Sequence, residues 1–197
     1  MTDIDIDFKD RIQALEKINF IQACTYDRFR KRHNTGVYFQ NIPHDIDKLS
    51  TIPYKQAEEQ GYFKIDFLNV SVYSCVRDET HLQSLMDTEP VWDILKDRGL
   101  VEKEYHINGQ VQTLFQLSNN WWVLEKHSPE NIHQLAQVLA LIRPAKNYLV
   151  GSSWKVIEKE IWEIPKSGYF WKKSHAYAYA TLIKVQMNLI VEALEDS

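Results

Sequence analysis

The chain is predicted to be α+β, a small, mainly antiparallel sheet covered by helices, and three stretches predict it. Residues 100–117 alternate apolar and polar side chains about Asn108-Gly109, a strong short-range hairpin signal. Strands near 65–76 and 120–126 extend this sheet, the first rich in Phe67, Val70, Val72 and Tyr73, the second carrying Trp121-Trp122-Val123-Leu124. Residues 170–194 place Trp171, Ala178, Leu182, Val185 and Leu189 at helical spacing, which predicts a long C-terminal helix.

The hairpin register follows from where its apolar side chains must go. A two-residue loop would set Ile107 opposite Gln110 and His106 opposite Val111, scattering apolar groups over both faces. A three-residue loop closed by Gly109 pairs Tyr105 with Val111, Lys103 with Thr113 and Val101 with Phe115. That gathers the apolar side chains on one face, so the bulged turn is expected.

A single domain over 1–197 is expected, with an N-terminal helical segment at 7–33 and a C-terminal one at 152–195. Asp7 caps the first helix, on which Phe8, Ile12, Leu15, Ile18 and Ile21 recur at helical spacing to about Cys24. Arg28, Arg30, Lys31 and Arg32 then form the densest positive run in the chain. They read as a last helical turn whose cations meet the C-terminal carbonyls before Gly36, with phosphate contact as the functional alternative.

Tyr54 to Gln60 favours a helix stopped by Gly61. Asp78 caps a helix bearing Leu82 and Leu85, and Pro90 restarts the chain into another that ends at Gly99. Ser128-Pro129-Glu130 opens a helix with Leu135, Ala136 and Leu139 as its buried stripe. Ser152 or Ser153 caps a helix from Trp154 to Ile164.

Composition narrows the function classes. Hydrophobic residues at 44% and charged ones at 25% are ordinary globular values, enough for a core without staples. Cys24 and Cys75 stand alone, which reads as two buried thiols in a reducing compartment. The opening Met-Thr-Asp-Ile-Asp-Ile-Asp is acidic where a signal peptide carries Lys or Arg, and no apolar run spans a bilayer. A cytoplasmic protein without membrane contact is expected.

The order strand, helix, helix, hairpin over 65–117 resembles the winged-helix arrangement, which implies a helix placed for the major groove. Charge argues against that use. Between Asp78 and Gly99, six carboxylates face only Lys96 and Arg98, a net of −4. Glu102 and Glu104 add to it, and phosphates would be repelled.

Metal and catalytic spacings are sparse. No Glu is followed by Lys two residues on, the carboxylate-then-lysine pattern of one nuclease class, and Asp7-x-Lys9 is the sole Asp version. His44-Asp45-Ile46-Asp47 lacks a second ligand cluster, and no Cys-x-x-Cys or His-Glu-x-x-His occurs. Glu125-x-His127 is the nearest candidate for a base pair of groups on one strand face.

The expected function is therefore a non-enzymatic cytoplasmic protein-binding module, of inhibitor or immunity type, neutralising a more basic partner without cofactor or metal. Asp87, Glu89, Asp93, Asp97, Glu102, Glu104, Trp121 and Trp122 are its expected partner-binding residues. A nucleic-acid-associated regulator using Arg28, Arg30, Lys31 and Arg32, and an enzyme with a dispersed site around Glu125 and His127, are the alternatives.

Overall fold

The computed structural model describes residues 4–195. They form two compact units, the first ending at Ser74 and the second beginning at Cys75. Among the described residues the content is mixed: a five-stranded sheet, a two-stranded one and eight α-helices, the last of them long and C-terminal.

The first unit runs β1 (Ile4–Phe8), α1 (Arg11–Glu16), β2 (Ile21–Tyr26), β3 (Arg30–Tyr38), β4 (Leu49–Pro53), α2 (Tyr54–Glu59) and β5 (Ile65–Asn69). Its strand order is β1-β5-β3-β2-β4. The β1–β5 and β2–β4 pairs are parallel, and β3 is antiparallel to both β2 and β5. The sheet is mixed, not mainly antiparallel.

The helical segment expected at 7–33 is corrected to strand, short helix, hairpin. Phe8, Ile12, Leu15, Ile18 and Ile21 do recur every three or four residues, but Phe8 belongs to β1, Leu15 to α1 and Ile21 to β2. Asp10, not Asp7, caps α1, its Oδ1 accepting from the Ile12 and Gln13 amides at 2.9 and 3.1 Å. The chain turns at Lys17–Phe20 without Gly or Pro, so nothing in its local composition marks the break.

Strand alternation divides the sheet faces. Ile6, Phe8, Ile65 and Phe67 pack with Leu15 and Val37 into one core cluster, and Ile21, Ala23, Tyr38, Ile42 and Ala57 form another. Consequently Asp5, Asp7 and Asp66 take the face of β1 and β5 opposite the Phe8–Phe67 stack.

The second unit runs α3 (Glu79–Asp87), α4 (Arg98–Val101), β6 (Tyr105–Ile107), β7 (Gln110–Gln112), α5 (Trp121–Leu124), α6 (Ile132–Leu141), α7 (Trp154–Glu160) and α8 (Lys173–Glu195). The hairpin uses the two-residue loop: Tyr105 pairs with Gln112, His106 with Val111 and Ile107 with Gln110. Asn108 at φ 50° and Gly109 at φ 75° both take the left-handed conformation that a type I′ turn requires. This local turn chemistry decides the register, because β6 and β7 are three residues each and Thr113–Leu117 leave the ladder.

Three further expectations are corrected. The strand at 65–76 ends at Asn69 and gives way to a 3₁₀ turn, Ser71–Cys75. The helix after Pro90 is a 3₁₀ turn, Trp92–Lys96, followed by α4, with Gly99 inside the latter. Residues Trp121–Leu124 are helical, so the sheet gains no strand from them.

Helices α6 and α8 form the centre of this unit. Leu135, Ala136 and Leu139 are fully buried as their spacing predicts, and α8 is buried continuously from Val185 to Ile190. Two amides in that stretch are buried and bonded. Gln186 accepts from the Phe115 amide and donates to the Thr113 carbonyl, while Asn188 donates to the Leu85 and Thr88 carbonyls. No helix among the described residues is long and apolar enough to cross a membrane.

Candidate functional site

Polar and charged side chains gather in two places, one in each unit. In the first, parallel pairing sets Asp5 of β1 directly opposite Asp66 of β5. Registered neighbours in a sheet point to the same side, and Asp7 follows on that side two residues along. Lys64 is ion-paired to Asp66. Thr35 Oγ1 donates to Asp66 Oδ1 at 2.7 Å, and His33 Nδ1 lies 3.7 Å from the same oxygen.

His33 is locked by its backbone neighbours. Its Nδ1 accepts from the Gly36 amide at 2.9 Å and the Thr35 amide at 3.3 Å, which leaves the proton of the neutral ring on Nε2. Burial and the nearby Lys64 hold its pKa below the ordinary histidine value, against the opposing pull of Asp66. Gly36 permits this crowding: a Cβ there would stand 2.5 Å from Lys64 Cδ and 3.0 Å from His33 Nδ1.

Asp7 is the second perturbed group. Its carboxyl pKa is raised, first by desolvation and then by the charge of Asp5, with a hydrogen bond from Tyr73 acting against both. Sequence reasoning missed this face because Asp5 and Asp66 meet only through long-range pairing. The one available signal was Lys64-Ile65-Asp66, the carboxylate–lysine spacing in reverse order. Among the described residues no three metal-ligating side chains stand together.

The second group lines a cleft of about 670 Å³. Glu102, Glu104, Trp121 and Trp122 line it, joined by Arg98, Thr113, Ser118, Asn119 and Glu125. Trp122 is 45% exposed, and its Nε1 donates to Asn120 Oδ1 at 3.3 Å. Arg98 Nε lies 3.0 Å from both Glu102 oxygens. Three glutamates against one arginine leave the lining at −2.

The other four expected partner-binding residues lie outside the lining and have local roles. Asp87 accepts from the Gln83 amide, and Glu89 accepts from Trp92 Nε1 at 2.7 Å. Asp93 pairs with Lys96 at 3.0 Å, and Asp97 caps α4 through the Leu100 amide. Arg28, Arg30, Lys31 and Arg32 are exposed along the β2–β3 hairpin, not at a helix end, with Tyr26 and Phe29 exposed beside them. Arg30 is paired with Asp45.

Glu125 and His127 are separated, because α5 replaces the expected strand. Glu125 opens on the cleft, while His127 is buried, its Nε2 accepting from the Gly151 amide at 2.8 Å and its ring edge-on to Trp154. Burial lowers the His127 pKa, so the folded state refuses a proton that the unfolded chain takes up. Its contribution to stability is whole above the ordinary histidine pKa of about 6.5 and is lost as pH falls below it. The melting temperature of the protein is expected to fall from about pH 7 to pH 5.5, and His127→Gln to flatten that slope.

Compared with family models, with curated proteins and with solved structures, the chain matches none.

Proposed function

We propose that the first unit carries a reaction site for a phosphate-bearing substrate, with Asp5, Asp66 and Lys64 as its reacting groups. The supporting observation is the registered Asp5–Asp66 pair with Lys64 beside it, on the sheet face that carries no Phe8–Phe67 core. Asp5 and Asp66 would hold a divalent cation, which would bring a substrate phosphate to this face. Lys64 then neutralises charge that develops on a transferring phosphoryl group. The basic β2–β3 hairpin, with exposed Tyr26 and Phe29, suits the rest of a polyanionic substrate. This develops the dispersed-site alternative, with a different set of residues.

The test offers nucleoside triphosphates and oligonucleotides to the chain with and without Mg²⁺ or Mn²⁺. Turnover that Asp5→Asn lowers by about 100-fold or more, with melting unchanged, supports the reading. Absence of turnover of every phosphate ester by the wild type overturns it.

A second reading belongs to the other unit: a protein-binding surface for a basic cytoplasmic partner, of the inhibitor or immunity kind. It is favoured by the meeting of Glu102, Glu104, Trp121 and Trp122 in one cleft. Trp side chains beside carboxylates are effective interface anchors.

A further inference from the structure

We propose that the cleft receives an arginine side chain from an extended segment of another protein, and that Arg98 holds that place while the cleft is empty. The proposal rests on the protein-binding reading of the second unit. Three features of the lining point to it.

First, the lining carries net negative charge and an exposed indole face, the pair of properties a guanidinium uses: carboxylates for its fork of donors, an aromatic face for stacking. Second, Glu104 and Glu125 line the cleft beside Trp122, Glu125 held only by an exposed Lys126 at 4.0 Å, whereas Glu102 is paired with Arg98 at 3.0 Å. Third, Arg98 is itself exposed and lies in the lining, so its guanidinium can leave Glu102 and return to water at little cost. An incoming arginine exchanges with it and finds all three carboxylates. Phosphate-bearing ligands are disfavoured there by the same charge.

An oligo-arginine peptide is the probe, with oligo-lysine and oligo-glutamate beside it, followed by tryptophan fluorescence and calorimetry. Oligo-arginine is expected to bind more tightly than oligo-lysine and to shift the fluorescence. Trp122→Ala is expected to weaken it about tenfold. Glu125→Gln weakens it in the same direction. Arg98→Ala, or Arg98→Gln if the first variant is unstable, is expected to tighten it severalfold.

Equal or weaker binding by both Arg98 variants overturns the exchange, and absence of oligo-arginine binding overturns the ligand assignment. If oligo-arginine is silent while a protein partner is still lost on Trp122→Ala, this inference fails and the protein-binding reading survives. If Trp122→Ala changes no interaction at all, both fail. Concentration-dependent self-association abolished by Trp122→Ala would assign the cleft to a second copy of the chain and overturn the proposal.

Discussion

Asp66→Asn is expected to lower turnover of a phosphate-bearing substrate by two to four orders of magnitude, about the range that a positioned acid or base contributes. Asn keeps the shape of the side chain and can still accept from Thr35, but it removes the charge that Asp5 faces and that Lys64 neutralises. The single variant also leaves Lys64 without its carboxylate, so a stability loss accompanies it. Adding Lys64→Gln separates the two effects. The double variant regains stability because no lone charge remains, and it stays inactive. Turnover recovered along with stability would reduce Lys64–Asp66 to a structural pair.

The second large effect is thermodynamic. Leu139→Ala should destabilise the second unit by about 2–5 kcal/mol, because Leu139 is fully buried on α6, the helix that packs along α8. The loss combines the transfer energy of the removed carbons with the cavity they leave, and close-packed neighbours relax only in part. A fall of about 10 °C in the melting temperature follows at this size. Ile142→Ala, one turn further and only partly buried, should cost clearly less. Equal losses at both positions in denaturant titrations would mean that the stripe on α6 is not what secures the unit.

These effects sit on elements of very different legibility. α2, α3, α6 and α8 could be read because each keeps one period over its whole length; α3 opens at its expected cap, Asp78 accepting from the His81 amide at 2.8 Å, whereas α6 opens at Asn131 and not at Ser128. Residues 7–24 could not, since three short elements in succession place Phe8, Leu15 and Ile21 at intervals that one helix would also produce. The hairpin was located by Asn108-Gly109, but its register followed the turn, not the apolar count. Trp121-Trp122 favours strand by type, and a four-residue helix of β-favouring side chains leaves too short a pattern to reveal itself.

The sites divide the same way. Glu102, Glu104, Trp121 and Trp122 were recognisable one by one from charge and bulk, and their neighbours Arg98 and Glu125 joined them only through folding. Beyond the Lys64-Ile65-Asp66 spacing, the Asp5–Asp66 face left no trace, since a parallel pairing between distant strands has no local signature.

Helix α8 has a consequence for how the protein is made. It emerges from the ribosome after every other element of its unit, yet its Gln186 and Asn188 satisfy carbonyls 73 to 103 residues earlier, at Thr113, Thr88 and Leu85. Until it arrives, α6 lacks the helix it packs along, and the nascent chain shows apolar surface that invites misassociation. Closing loops of that span is slow. Completion of the second unit's core therefore waits on its last helix.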